Sequence, residues 1–201
     1  MKPNFIYVLK DNIYINLTNR CTALCTFCRR ISSPLVCGFD LRLEEEPTVE
    51  QILEEIPNPS LYREVVFCGY GEPTLRLKDL LCIAEQLKKK QAHIRLNTNG
   101  HGNLIAHRSI VPDLKGSVDT VSVSLNAADE FTYERIVRPA FGRQAFNAVK
   151  DFILQCRTAI PRVVATVVAL PDLDLAACRR LTEEELRVEF RLRALDREGM
   201  E

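Results

Sequence analysis

A chain of 201 residues has the length of one domain and can bury a sizeable core. Hydrophobic residues at 46% and charged residues at 27% exclude a disordered or fibrous chain. Lys plus Arg equals Asp plus Glu at 27 each, so there is no global basic footprint for nucleic acid.

The N-terminal "MKPNFIYVLKDNIY" lacks a long apolar run and a small-residue cleavage site, so no signal peptide is expected. No run approaches the roughly 18 apolar residues of a membrane span. Eight cysteines without an export signal point to a reducing, cytoplasmic compartment, where thiols serve metals or packing more often than disulfides.

In chain order, the first predicted strand is "NIYINL" (12–17). A helix follows in "TVEQILEEI", which opens with Thr48 and Gln51 at capping-box spacing. Then come a strand "EVVFC" (64–68) and a helix "LKDLLCIAEQLKKK", whose Lys88 to Lys90 complement its C-terminal dipole. Strands "HIRLN" (93–97) and "DTVSVSL" (119–125) precede the helix "FGRQAFNAVKDFILQC". Strand "RVVATVVA" (162–169), helix "LAACRRLTEEEL" and strand "RVEFRLR" (187–193) complete the chain. Six β/α units predict an α/β fold with a parallel sheet in a single domain, 1–201.

Strand parity sharpens this. Val121, Val123 and Leu125 share one side, while Ser122, Ser124 and Asn126 share the other. Ile94 and Leu96 oppose Arg95, Asn97 and Asn99; Ile13, Ile15 and Leu17 oppose Tyr14, Asn16 and Thr18. In the last strand Val188, Phe190 and Leu192 oppose Arg187, Glu189, Arg191 and Arg193. A sheet covered by helices on both faces would read as continuous apolar runs. Four polar-faced strands instead imply a curved sheet with helices outside only, a partial (β/α)6 TIM-like barrel whose functional residues end the strands.

"NLTNRCTALCTFCRR" (16–30) follows directly on the first strand and carries Cys21, Cys25 and Cys28 as C-x3-C-x2-C. Three cysteines on a 4Fe-4S cube leave one iron open for a further ligand. A structural zinc site, completed by a fourth ligand such as Cys37, and an iron–sulfur electron carrier or sensor are the alternatives. "FCGYGEPTL" (67–75) ends the second strand. There Gly71 permits close backbone approach to a ligand and Glu72 can answer a cation. "LNTNG" (96–100) and "SVSLNA" (122–127) end the third and fourth strands.

Together these motifs resemble the radical S-adenosylmethionine (radical SAM) superfamily, over nearly the whole chain. "NLTNRCT", "VVFCGYGEPTLRL", "IRLNTNGHGNLI" and "VSVSLNA" look most like its TatD-associated members. The resemblance implies a 4Fe-4S cluster on Cys21, Cys25 and Cys28, with Phe27 as the aromatic before the last cysteine. It implies S-adenosylmethionine chelated to the open iron and cleaved reductively to a 5′-deoxyadenosyl radical. Glu72, with the carbonyls of Tyr70 and Gly71, would bind the methionine ammonium, Tyr70 standing where the family has glycine. Asn97, Asn99, Ser124 and Asn126 would meet the ribose and methionine carboxylate, and Arg138 could reach that carboxylate. Val167 and Val168 could back the adenine. A flavodoxin- or ferredoxin-type donor would supply electrons, and a TatD-type metal hydrolase would be a functional associate. The substrate is not implied.

Arg95, Arg191 and Arg193 on the polar faces, with Arg29 and Arg30 beside the cysteines, suggest an anionic substrate, unless Glu189 pairs with Arg191 or Arg193. Cys68, Cys82 and Cys156 read as packing residues. His93, His101 and His107 lack metal-ligand spacing and read as surface or capping residues.

Overall fold

The computed structural model describes residues 5–32, 35–36, 38–56 and 58–195. Cys37 lies outside them. The chain runs through β1 (Ile6–Leu9), β2 (Asn12–Ile15), α1 (Arg29–Ser32), β3 (Leu35–Val36), β4 (Phe39–Asp40), α2 (Val49–Glu55) and β5 (Glu64–Phe67). Next come α3 (Leu77–Lys89), β6 (Ile94–Thr98), α4 (Gly102–Ala106), α5 (Val111–Leu114), β7 (Thr120–Ser124) and α6 (Glu130–Val137). The chain ends with α7 (Ala145–Ala159), β8 (Arg162–Val168), α8 (Leu175–Arg180) and β9 (Glu189–Arg193).

All six predicted strands form, as β2 and β5 to β9, and each pairs in parallel with its successor. The spatial order β1-β2-β5-β6-β7-β8-β9 is the chain order. A doubly wound sheet reverses direction at its middle; this one never does. Right-handed crossovers that always advance the same way lay every connecting helix on one face. The sheet is therefore an open (β/α) barrel.

Register confirms two unlike faces. Ile15, Phe67, Leu96, Val121 and Val163 align across five strands, and all enter one apolar cluster with Ile52 of α2, Leu80, Ile83 and Leu87 of α3, and Phe152 of α7. On the opposite face Asn97, Ser122, Val164 and Glu189 align, as do Ser124, Thr166 and Arg191. Val66 and Val164 are buried on that inner face and stand outside the cluster.

The capping box of α2 forms as spaced: Thr48 Oγ1 accepts from Gln51 N at 3.2 Å, and Gln51 Oε1 accepts from Thr48 N at 2.9 Å. On α3 the buried stripe is Leu80, Ile83, Ala84 and Leu87, which corrects the reading of Cys82 as a packing residue. Two positions beyond Leu80 it falls on the other side of the helix, and it is exposed. "LAACRRLTEEEL" is helical as expected, but its second half widens into a π-helical turn, Leu181–Glu185.

Strand β1 was not expected. It returns antiparallel on β2, Ile6 opposite Ile15, and covers what would be an open sheet edge. Tyr7 of β1 stacks on Tyr14 at 5.0 Å and donates from its hydroxyl to Cys68 O at 3.0 Å.

The proposed row of anion-binding arginines is largely spent. Arg95 pairs with the buried Glu64 at 3.0 Å. Glu189 takes both Arg162, at 2.6 Å, and Arg191, at 3.2 Å. Arg193 remains exposed at the end of β9.

Candidate functional site

The loop after β2 is built as a frame around its three thiols. Asn16, fully buried, accepts from Tyr70 N at 2.9 Å and donates to Leu41 O at 2.7 Å, so one amide fixes both neighbouring segments. Cys21, Cys25 and Cys28 are half-buried, and Cys28 N donates to Cys25 O at 3.0 Å. Phe27 packs against the apolar core beside Cys21 and Cys25. Arg30 is turned inward: it donates to Asn19 O at 3.1 Å, Ala23 O at 2.9 Å and Cys28 Sγ at 3.3 Å. That use removes it from the proposed substrate arginines. Arg29, its neighbour, donates to Leu35 O at 3.2 Å.

The second motif docks on the first. Glu72 N donates to Arg20 O at 2.8 Å. A Cβ on Gly71 would lie 2.2 Å from Arg20 O and 2.4 Å from Thr18 O. The absent side chain is thus required by the approach of the cysteine loop's own backbone. No ligand need be invoked for it.

Glu72 is 2% exposed. Its Oε1 accepts from Thr74 N at 3.1 Å, Thr74 Oγ1 at 2.7 Å and Thr98 Oγ1 at 2.7 Å, and its Oε2 from Asn99 N at 2.7 Å. Burial pushes its carboxyl above the usual range, against the pull of these donors. Oε2 keeps an unused acceptor position.

Asn99 carries the connection onward. Its Nδ2 donates to Thr22 Oγ1 at 3.0 Å and lies 3.7 Å from Cys21 Sγ, while its Oδ1 accepts from His101 N at 2.9 Å. His101 then joins Thr22 Oγ1 to Tyr133 Oη, each at 2.8 Å from a ring nitrogen. This corrects the reading of His101 as a surface residue; it holds the N-cap position of α4, but its side chain makes no capping bond. It is fully buried, edge-on to Phe141, and burial holds its pKa down at about 4. His93 and His107 are exposed, and His107 is the left-handed C-cap of α4.

A further support was not legible in any motif. Thr26 N donates to Ile136 O and Ala140 N to Thr22 O, both at 2.8 Å, with a bridge between Ala23 and Pro139. The last turn of α6 and the segment after it therefore back the cysteine loop. Arg138 sits there exposed, in the left-handed region at φ 49, as the C-cap of α6. A cleft of about 140 Å³ next to Thr26 is walled by Arg135 and Ile136 on one side and by Leu170 to Leu173, after β8, on the other.

The remaining candidates lie on the inner face or at its rim. Asn97 Oδ1 and Tyr70 Oη are buried without a hydrogen-bond partner, which leaves two enclosed polar atoms for a ligand to meet. Ser124 is half-buried, level with Thr166. Asn126 takes the left-handed conformation at φ 59, and its Oδ1 accepts from Val168 N at 3.2 Å, so it ties β7 to β8.

Among the described residues no three His, Cys, Asp or Glu side chains converge tightly enough to hold a lone metal ion. The three thiols are instead strung along one loop, soft donors of the kind an iron–sulfur cluster takes. Burial pushes the Cys25 thiol up to about 12, with the neighbouring Cys28 and Cys21 adding to it, and burial raises Cys21 as well. Crowded thiols of this sort ionise when a cationic centre binds them, so the residues present fit a cluster. Among the described residues no helix is long and apolar enough to cross a membrane.

Solved structures share this architecture. TYW1 with a lysine-pyruvate adduct bound superposes with a TM-score of 0.62 at 15% identity, over 92% of this chain and 64% of that one. A radical SAM methyltransferase from Sphaerobacter thermophilus gives 0.57 at 16%, over 94% and 57%. Streptococcus suis SuiB bound to precursor peptide SuiA gives 0.65 at 14%, over 96% and 41%. The chain thus spans two thirds or less of the length of each of these proteins, and at such identities the likeness is one of fold. No curated protein matches the sequence. A family model described as the Radical SAM superfamily matches residues 15–183, from the end of β2 to the turn before β9. The chain belongs to the radical SAM superfamily.

Proposed function

We propose that the protein is a radical SAM enzyme, one core domain in which Cys21, Cys25 and Cys28 hold three irons of a 4Fe-4S cluster. The single observation that carries the reading is the continuous hydrogen-bonded path from Glu72 through Asn99 to Thr22 and Cys21. It joins the acidic motif to the cysteine loop, as a cofactor touching both would need.

When bound, cluster and S-adenosylmethionine supply reductive cleavage of the sulfonium to a 5′-deoxyadenosyl radical. The chain's residues bind and orient. The unused position on Glu72 Oε2, with the carbonyls of Tyr70 and Gly71, takes the methionine ammonium. Charge on that ammonium offsets the burial cost of the carboxylate. Asn97 offers its unpartnered Oδ1 to the ribose, and Ser124 stands on the same wall. Asn99 and Asn126 position the strand ends with their side chains. The apolar cluster behind the sheet keeps water from the outer side of the site.

An external low-potential donor of flavodoxin or ferredoxin type delivers the electron. The open sheet, ending at the exposed strand β9, leaves room for a large substrate or a partner to complete the wall. The motifs around the cysteines and Glu72 resemble those of the TatD-associated group most, and on that resemblance a functional association with a TatD-type hydrolase is proposed.

The test is anaerobic reconstitution with iron and sulfide, then dithionite and S-adenosylmethionine. 5′-Deoxyadenosine in the wild type and none in C21A/C25A/C28A is expected. A reduced cluster that leaves S-adenosylmethionine intact would make the protein an electron carrier instead.

A further inference from the structure

We infer that Arg30 and Asn99 set the reduction potential of the cluster, each through an N–H directed at a ligand sulfur; this rests on the proposed cluster site.

Arg30 Nε lies 3.3 Å from Cys28 Sγ, within the reach of a hydrogen bond to sulfur. The guanidinium cannot turn away, because its two terminal nitrogens are committed to Asn19 O and Ala23 O. Those carbonyls flank Cys21 and precede Cys25, so the planar fork spans the loop and leaves Nε facing the sulfur. Arg29, one position earlier, bonds to Leu35 O instead, so adjacency in sequence does not explain the contact.

Asn99 repeats the device at a second thiol. Its Nδ2 stands 3.7 Å from Cys21 Sγ, a longer and weaker contact. The amide is held in that orientation from both ends, by Thr22 Oγ1 and by His101 N. His101 is in turn fully buried, so the holder is itself rigid.

One-electron reduction adds one negative charge to a group already coordinated by three thiolates. An N–H donated to a ligand sulfur stabilises that added charge, and so does a fixed cation. Arg30 supplies both and Asn99 the first. Each therefore raises the potential and makes the cluster easier to reduce, with Arg30 the stronger. Neither residue needs to touch the substrate for this. They are positioning residues for the electron.

The test is potentiometry followed by electron paramagnetic resonance on the anaerobically reconstituted holoprotein, without S-adenosylmethionine, with iron content measured in each sample. R30Q, which removes the charge, should shift the midpoint to more negative values. R30K, which keeps the charge and loses the Nε contact, should fall between R30Q and wild type. N99L, uncharged and close in volume, removes the donor and should also shift negative. Wild-type midpoints in R30Q and N99L at full iron content would overturn the inference. Failure of both variants to take up iron would overturn it too, by making the two residues structural. If R30Q alone fails, N99L decides. If the wild type takes up no cluster, the functional reading falls first, and the two failures stay distinct.

Discussion

Thr22 and His101, 79 residues apart, are joined by a 2.8 Å hydrogen bond in the interior of the protein. Through it the loop that carries the cysteines is tied to the end of β6. Through Tyr133 the tie extends to α6. The cysteine loop is thus fastened on three sides: by this bond, by the docking of Glu72 N on Arg20 O, and by the last turn of α6 with the segment after it.

Replacing His101 with Phe keeps a planar ring but strands the buried Tyr133 hydroxyl, while Thr22 Oγ1 keeps its bond from Asn99 Nδ2. An unpaired buried polar group costs about 1–3 kcal/mol, so H101F should lose about that much stability. Urea unfolding of the apoprotein at pH 7 measures it. A change under about 0.5 kcal/mol would show that the network carries no stability.

The same residue sets a pH window. Burial lowers the folded pKa of His101 from 6.5 to about 4, so the unfolded chain binds a proton first as pH falls. Stability from this group is complete above pH 6.5 and lost on descent towards pH 4, by roughly 3 kcal/mol. H101F should lack that component. Unfolding curves at pH 7, 5.5 and 4.5, compared between wild type and variant, give the difference.

Gly71→Ala would set a methyl group against Arg20 O, which belongs to backbone and cannot rotate away. Overpacking of this kind costs about 1–3 kcal/mol. A lower melting temperature is expected, together with reduced iron uptake, since the displaced backbone is the cysteine loop. Normal iron content with a normal melting temperature would mean that the loop yields freely.

Glu72→Gln removes the charge proposed to meet the ammonium. A charged hydrogen bond is worth about 1.5–3 kcal/mol, so the dissociation constant for S-adenosylmethionine should rise about 10- to 100-fold at unchanged iron content. Equilibrium binding to the oxidised holoprotein reads this directly. Equal affinity in the two proteins would remove Glu72 from the site.

Cysteine substitutions should separate cleanly. C21A, C25A and C28A should each lose most of the bound iron. C82A, on the exposed side of α3, should keep iron and change stability by less than about 0.5 kcal/mol. Iron loss in C82A as large as in C25A would contradict the assignment.

The amino-acid sequence alone determined the six parallel strands, the two unlike sheet faces, the capped α2 helix and the cysteine and acidic motifs. All of these are written in periods of two or 3.6 residues or in spacings within one loop. Helix exposure was less legible: Cys82 sits among apolar neighbours and still faces outward, because a turn's phase decides the side. Only the tertiary structure decided what each motif touches. It brought Asn99 to Cys21, His101 to Thr22 and Ala140 to Thr22, pairs whose members are separated by whole β/α units. It also turned Arg30 inward and gave Gly71 its reason. Such contacts depend on how closely two loops approach once the sheet has curved, and no local pattern encodes that distance.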